Sequence, residues 1–155
     1  MTNPMLVGRD TSLSEHFSCD EFRCSCGCGL VLVHPTILHS LEDLRDIVSR
    51  PIHILSGCRC PVSNRRAGGT SNSQHLTICS PPDLRPCKAA DIYIAGMSVR
   101  QMFSNAILVE GFSNGGMGVY PGEGFIHVDT RGKKARWARL NKGAPYGNIP
   151  RSYWS

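Results

Sequence analysis

Residues 115–129 read GGMGVYPGEGFIHVD, and this stretch decides the fold because it predicts two short strands that lie side by side. The segments 115–120 and 124–129 flank Pro121-Gly122, and a Pro-Gly pair between two apolar runs favours a tight turn. We therefore expect an antiparallel pair of strands here.

Alternation along the second strand separates a polar face from an apolar one. Successive side chains of a strand point to opposite faces of the sheet. Phe125, His127 and Asp129 consequently share one face, whereas Ile126 and Val128 face the opposite way, into packing. The polar face is the first candidate for a functional surface.

The flanking sequence predicts two amphipathic helices and two further strands. Apolar residues recur at three-to-four spacing from residue 35 to about 49, which indicates the main helix. A second helix is expected from residue 98 to about 109, with Met102 and Leu108 among its inward-facing residues. Strands are expected at residues 52–55 and 89–94. Helices followed by closely spaced strands predict an α+β fold, with a small antiparallel sheet flanked by helices.

The composition is that of an ordinary globular protein. A length of 155 residues predicts one domain, and 41% hydrophobic with 19% charged residues is typical of soluble chains. The sequence contains no apolar run long enough to predict membrane insertion, and its first residues lack the pattern of a secretory signal. We expect a lead-in at 1–14, the folded domain at 15–139 and a basic tail at 140–155, in a monomer.

The net charge of +5 comes largely from basic residues late in the chain. A solvated surface is the common explanation for such a run. The functional alternative is attraction to a polyanion, either the bacterial cell wall or a nucleic acid. Because no nucleic-acid-binding motif is present, we favour the cell wall and expect no nucleic-acid partner.

Eight cysteines are many for a chain of this length. Their even number fits disulfides, but the missing secretory signal argues against an oxidising destination. The spacing of Cys24, Cys26 and Cys28 is not a standard pattern for a structural zinc site. Cys79 and Cys87 bracket a Pro-rich segment and would either form a disulfide or remain free thiols.

Three residues have the chemistry of ligands for a catalytic zinc ion, which uses three protein ligands and keeps one position for water. His75 ends a loop rich in Gly and Asn, Asp91 lies at the start of a predicted strand, and His127 lies on the polar strand face. Taken singly, each is more often an ordinary surface or hydrogen-bonded residue than a ligand.

Three separated segments together resemble the zinc D-alanyl-D-alanine carboxypeptidase family, which includes phage endolysins and shares its fold with the hedgehog signalling domain. They are SGCRCPVSNRRAGGTSNSQHL, KAADIYI and GVYPGEGFIHVDTRGKKARW. They match, in order, the family's Ser-x-His, its Gly-x-Ala-x-Asp and its later histidine on a strand. The opening HFSCDEFRCSCGCG and the helix LEDLRDIV also look like the endolysin branch, so the resemblance spans roughly residues 15–137.

The resemblance implies a role for each candidate residue. His75, Asp91 and His127 would be the zinc ligands. Arg59 would face the carbonyl group of the substrate, and a structural pair with a carboxylate is its alternative role. Ser73 and Gln74, which precede the first histidine, are expected to contact the substrate together with Arg59.

Two departures from the family pattern leave alternatives open. Fifteen residues separate His75 from Asp91, more than the family has, and Asp83 within the surplus is a rival ligand. Many relatives carry an acid three residues before the last histidine, where this chain has Gly124. Asp129 is then the first candidate for the catalytic base, or else a partner of a ligand, and Glu123 is the second candidate.

The expected function is zinc-dependent hydrolysis of peptide bonds in bacterial peptidoglycan, at a D-alanine-containing stem or cross-link. Without a secretory signal, a phage or prophage endolysin would stay in the host cytoplasm until its release to the wall. Two alternatives are a zinc-binding module without catalysis, to which Gly124 points, and a virion or wall-anchoring protein, to which the basic tail points.

Overall fold

The sheet at the centre of the protein has five strands, and the computed structural model describes residues 11–154. Residues 1–10, which hold most of the expected lead-in, and residue 155 lie outside the described residues. The strands are β1 (His53–Ser56), β2 (Ala89–Tyr93), β3 (Gly116–Tyr120), β4 (Phe125–Asp129) and β5 (Ala135–Ala138). They lie in the order β1-β2-β4-β3-β5.

Neighbouring strands are antiparallel except at one edge, where β3 and β5 run parallel. The α+β class is confirmed, but the expectation of a wholly antiparallel sheet is wrong at this edge. Residues 130–134 carry the chain from the end of β4 past the start of β3, which makes β5 parallel to β3. The strand escapes prediction because it lies in a basic stretch and leaves most of its side chains half exposed.

A layer of helices covers one face of the sheet. The described residues form the helices α1 (Cys19–Phe22), α2 (Pro35–Val48), α3 (Pro61–Arg66), α4 (Val99–Ala106) and α5 (Glu110–Ser113), with a 3-10 helix at Arg151–Trp154. The helices α4 and α5 pack on β3 and β4. The helix α2 packs on α4 and α5, and α1 packs on β1. Within residues 11–154 no helix is long and apolar enough to cross a bilayer.

The main predicted helix is confirmed, and the second is shorter than expected. Pro35 occupies the first turn of α2, and Ser49 ends it in the left-handed region at φ 52°. The helix α4 ends at Ala106, so Met102 is buried as predicted but Leu108 is 68% exposed. The prediction for Leu108 is wrong because the chain turns towards α5 there, and helical periodicity no longer applies.

The two faces of the sheet have different chemistry. The helix-covered face carries six side chains without solvent exposure: Ala90, Ile92, Met117, Val119, Ile126 and Val128. Burying a Val, Ile or Met side chain stabilises the fold by about 1.5–3 kcal/mol. The opposite face carries Asp91, His127 and Asp129, which alternate with these apolar residues along β2 and β4.

The C-terminal segment, residues 140–154, packs against the domain. Gly147 exchanges backbone hydrogen bonds with Ala138 of β5, and Ile149 is buried. The ring of Trp154 lies edge-on to Phe103 of α4, with 5.2 Å between centroids. The segment therefore extends both the sheet edge and the core.

Candidate metal centre

Two histidines and one aspartate meet on the polar face of the sheet. His75 Nε2 lies 3.2 Å from His127 Nδ1 and 3.2 Å from Asp91 Oδ1. His127 Nδ1 lies 3.1 Å from the same Asp91 oxygen. All three residues are buried, and their three atoms form a nearly equilateral triangle.

The other nitrogen of each ring fixes where the proton lies. His75 Nδ1 is 2.8 Å from the Gly57 carbonyl oxygen, which can only accept, so Nδ1 carries the proton. His127 Nε2 is 2.7 Å from Asp129 Oδ2 and carries a proton for the same reason. Two ring lone pairs and one carboxylate oxygen therefore point at one another. Acceptors at this separation repel unless a cation lies between them.

Zinc fits this donor set. Its bonds to nitrogen and oxygen are about 2.0–2.2 Å, and tetrahedral geometry then separates neighbouring ligand atoms by about 3.3–3.6 Å. The observed separations of 3.1 and 3.2 Å are close to that value. Three protein ligands leave a fourth position for water or substrate, as in catalytic zinc sites.

Asp91 divides its two oxygens between the histidines and Arg59. Its Oδ1 faces the ring nitrogens, whereas Oδ2 accepts a hydrogen bond from Arg59 Nη2 at 3.0 Å. Burial opposes ionisation of Asp91. When the metal is absent, a protonated His75 and hydrogen bonds from both rings would hold the pKa of Asp91 well below its ordinary value. Arg59 Nε also donates to Ser56 Oγ at 3.0 Å, so the guanidinium group is fixed on two sides.

Asp129 lies behind His127, on the side away from the triangle, and is fully buried. Its Oδ1 accepts from Gly116 N at 2.8 Å and Arg131 Nε at 2.9 Å. Its Oδ2 accepts from His127 Nε2 and Arg131 Nη2, both at 2.7 Å. Burial opposes ionisation of Asp129, but the hydrogen bonds from His127 and Arg131 hold its pKa well below the ordinary value. The carboxylate is ionised and surrounded by donors.

Strand register and one loop pairing bring the three residues together. Asp91 of β2 and His127 of β4 are direct partners across the antiparallel pair, where side chains on one face are neighbours. His75 comes from the loop before β2. Its carbonyl oxygen accepts from Arg59 N at 2.9 Å, and Thr77 N donates to Arg59 O at 2.8 Å. This pairing ties the loop to the segment after β1.

The surplus residues between His75 and Asp91 form a hairpin-like projection. Ile78 and Arg85 exchange two backbone hydrogen bonds, of 2.9 and 2.8 Å. The Arg85 guanidinium group donates to the carbonyl oxygens of Ser71 at 2.8 Å and Ser73 at 2.7 Å. Because the insertion closes on itself, it does not separate the two flanking residues.

The other candidates within the insertion lie apart from the triangle. Asp83 is exposed in a turn and is not among the side chains that face the two histidines. Cys79 and Cys87 are free thiols, and the buried Cys87 Sγ lies 3.1 Å from the carbonyl oxygen of Ala89.

A cleft of about 510 Å³ opens above the triangle. Four further sequence candidates line it: Arg59, Ser73, Gln74 and Glu123. Ser73 Oγ accepts from the backbone N–H of His75 at 3.3 Å, and Gln74 Nε2 donates to the carbonyl oxygen of Asn72 at 3.0 Å. Among the described residues, Asp91 and Glu123 are the acids that line this cleft, and Glu123 is exposed.

The cleft also contains residues that the sequence did not single out: Tyr120, Arg131, Trp137, Arg139 and Tyr146. Trp137 packs 5.0 Å from the His127 ring and donates from Nε1 to the Tyr120 hydroxyl at 2.8 Å. Burial raises the pKa of Tyr120, so its hydroxyl keeps its proton. Trp137, which lies between Arg136 and Arg139 in the sequence, was the available signal for this wall of the cleft.

Comparison with known proteins agrees with this geometry. The profile of the family described as peptidase M15 matches residues 15–129, well over half of the chain. Comparison with curated proteins gave no match. The chain therefore belongs to the peptidase M15 family, the family of zinc D-alanyl-D-alanine carboxypeptidase-like enzymes.

Proposed function

We propose that the protein is a zinc peptidase that cuts D-alanine-containing peptide bonds in bacterial peptidoglycan, in the role of a phage or prophage endolysin. One observation carries the proposal: ligand atoms of His75, Asp91 and His127 converge at the floor of a cleft that also holds an acid and several arginines. The membership in the M15 family supports the same conclusion.

His75, Asp91 and His127 would hold the zinc ion. When bound, zinc polarises the scissile carbonyl group and lowers the pKa of a water ligand to about 7. The open cleft lets a peptide reach this position, while the buried side of the triangle excludes bulk water.

We assign the base to Glu123 and a positioning role to Asp129. A base must reach the water proton, and Asp129 is separated from the cleft side of the triangle by the His127 ring. Both of its oxygens are already occupied by donors. Glu123 lines the cleft, follows the β3 strand in a turn and has an exposed side chain that can approach the substrate. It would take a proton from the attacking water and return it to the leaving amine.

The cationic and hydroxyl groups of the cleft would bind the substrate. Arg59 keeps part of its guanidinium group free beside Asp91 and would donate to the developing oxyanion. Arg139 has no carboxylate partner among residues 11–154 and lies 5.4 Å from the Tyr146 ring centroid. It suits a substrate carboxylate, such as the end of a stem peptide. The protonated Tyr120 hydroxyl is a further donor.

A zinc-binding module without catalysis is the second candidate. Gly124 at the usual position of the acid, together with the enclosed carboxylate of Asp129, favours it. The two candidates differ only in whether Glu123 works as a base.

The test is digestion of purified peptidoglycan by the zinc-loaded protein, followed by measurement of new amino termini. We expect amine release that a chelator abolishes and added zinc restores. Glu123→Gln should lose at least about 100-fold in rate while binding zinc as before, whereas the exposed and distant Glu110→Gln should retain full activity. A zinc-loaded protein that pellets with the wall but releases no amine would contradict the peptidase proposal and favour the binding module.

A further inference from the structure

A second group of metal-binding side chains lies outside the cleft. Cys24, Cys26 and Cys28 come from the loop after α1, and Cys60 comes from the segment that begins α3. Their four sulfur atoms all lie within 4.8 Å of one another. Cys26 Sγ is 3.5 Å from Cys24 Sγ and 3.7 Å from Cys60 Sγ.

These separations fit four ligands of one metal ion. A zinc–sulfur bond is about 2.3 Å, so tetrahedral geometry places neighbouring sulfur atoms about 3.8 Å apart. A disulfide needs about 2.0 Å between its sulfur atoms, and all eight cysteines are free thiols. The spacing of the first three cysteines is unusual for zinc, but the fold supplies the fourth from 32 residues further along the chain.

The local backbone is built to turn the sulfur atoms inward. Gly27, between Cys26 and Cys28, and Gly29, directly after Cys28, have φ values of 86° and 80°, a left-handed conformation that favours glycine. The Cys60 backbone N–H donates to Cys24 Sγ at 3.4 Å, and the Ser63 backbone N–H donates to Cys60 Sγ at 3.4 Å. Such donors stabilise the thiolate form that binds metal.

We propose that Cys24, Cys26, Cys28 and Cys60 bind one structural zinc ion, separate from the ion of the cleft. Four thiolates complete a tetrahedral shell and leave no position for water, which is the arrangement of structural zinc sites. The site also explains why two exposed cysteines, Cys26 and Cys28, lie in one turn.

The bound ion would fasten the loop at residues 24–29 to the segment that carries Arg59. Cys60 follows Arg59 directly, and the Arg59 backbone is paired with His75. The Arg59 guanidinium group in turn holds Asp91. The structural ion would therefore fix the backbone from which one wall of the cleft is built.

Metal analysis of the full chain tests this proposal. We expect two zinc ions per wild-type chain, one in His75→Ala/His127→Ala, and one in Cys26→Ser/Cys28→Ser, whose exposed positions should allow folding. Cys79→Ser is the matched control, since this half-buried cysteine lies outside the group, and it should keep both ions.

Cobalt substitution gives a second readout, which does not depend on enzymatic activity. Thiolate-to-cobalt charge transfer produces an intense near-ultraviolet band, and the ligands in the cleft contain no sulfur. The band should appear in wild type and in His75→Ala/His127→Ala, and it should be lost in Cys26→Ser/Cys28→Ser. A single zinc per wild-type chain that is lost in His75→Ala/His127→Ala, no such band, iron in place of zinc, or an unchanged band in the cysteine variant would each overturn the proposal. A single zinc that is lost in Cys26→Ser/Cys28→Ser would instead support the cysteine site and contradict the zinc site of the cleft.

Discussion

The chemistry of the cleft depends on which nitrogen of each histidine faces inward. His127 presents Nδ1 to the triangle because Asp129 holds its Nε2–H. Arg131 and the Gly116 N–H in turn hold Asp129. The proposed ligand His127 and the carboxylate of Asp129 that would support it thus come from one strand, two residues apart, and both belong to the polar face of β4.

Replacing Asp129 with Asn should weaken zinc binding in the cleft by about 10–100-fold, because such partners orient a ligand and raise its basicity. Competition titration with a chelator of known affinity measures this, with His127→Ala identifying the signal of the cleft. Asp83→Asn is the control and should change nothing, since that side chain is exposed in a turn. An unchanged zinc affinity in Asp129→Asn together with a complete loss of hydrolysis would instead identify Asp129 as the base.

The sequence predicts residues of this site better than their roles. Alternation places His127 and Asp129 on one face, and motif order identifies His75 and Asp91 as their companions. Neither pattern says which ring nitrogen faces the carboxylate. That depends on Arg131 and the Gly116 backbone, whose approach follows from the strand pairing and the turn after β4.

At the scale of elements, the parallel strand β5 forms a wall of the cleft. Trp137 of β5 lies over Gly118 of β3, where an added Cβ would stand 2.2 Å from the indole Nε1. Only glycine allows this approach, and the indole reaches both the His127 ring and the Tyr120 hydroxyl as a result. The strand was missed because its side chains are half exposed, and α3 was missed because its six residues are too few for periodicity.

Gly118→Ala should lower the free energy of unfolding by about 1–3 kcal/mol, because the added methyl group overpacks the sheet against Trp137. Urea denaturation at equilibrium, with tryptophan fluorescence as one probe, measures the change. Gly147→Ala is the matched control, since nothing lies within 4 Å of its added Cβ, and it should be neutral or slightly stabilising. Equal stability of the two variants would contradict the described packing of β5.

Glu42 of α2 fastens the chain that precedes α1. Its carboxylate accepts from Ser14 Oγ at 2.5 Å, from His16 N at 2.7 Å and lies 2.6 Å from His16 Nδ1. Burial opposes ionisation, but these hydrogen bonds lower the pKa of Glu42 below its ordinary 4.5. A lowered folded-state pKa contributes stability above the unfolded-state value, and this contribution is lost as pH falls through the folded-state value.

Glu42→Gln should therefore cost about 1 kcal/mol at neutral pH, and the difference from wild type should disappear as pH falls through the lowered folded-state pKa of Glu42. Unfolding free energies measured across that pH range test the sign. Glu15→Gln is the control, because its side chain is 82% exposed. A destabilisation that grows in acid would show that Glu42 does not act through its charge.

At the scale of the molecule, the two faces of the sheet have different roles. The apolar face forms the core that stabilises the fold, and the polar face carries the candidate site. The helices bury the apolar face, and that core does not include the residues of the two candidate metal sites. The sequence predicts this division, because the alternation along β4 already assigns its residues to two faces. It does not predict the docking of residues 140–154, since their basic and polar composition resembles a solvated tail, whereas Ile149 and Trp154 contact the core through distant partners.

Removing metal should leave the helix-covered core folded but lower the temperature of unfolding. A ligand that binds only the native state stabilises it by about 2.7 kcal/mol when present at 100 times its dissociation constant. Calorimetry with increasing free zinc should show a rising midpoint in wild type and a smaller rise in His75→Ala/His127→Ala. A metal-free chain without a cooperative transition would contradict a core that is independent of the metals.

The most direct test of the proposed zinc site at His75, Asp91 and His127 is anomalous diffraction from zinc-loaded crystals. We predict a peak bonded to His75 Nε2, one Asp91 oxygen and His127 Nδ1 at about 2.0–2.2 Å, with His127 Nε2 still facing Asp129. A map without a peak between these atoms, or with zinc bound by Asp83 in place of Asp91, would contradict the account.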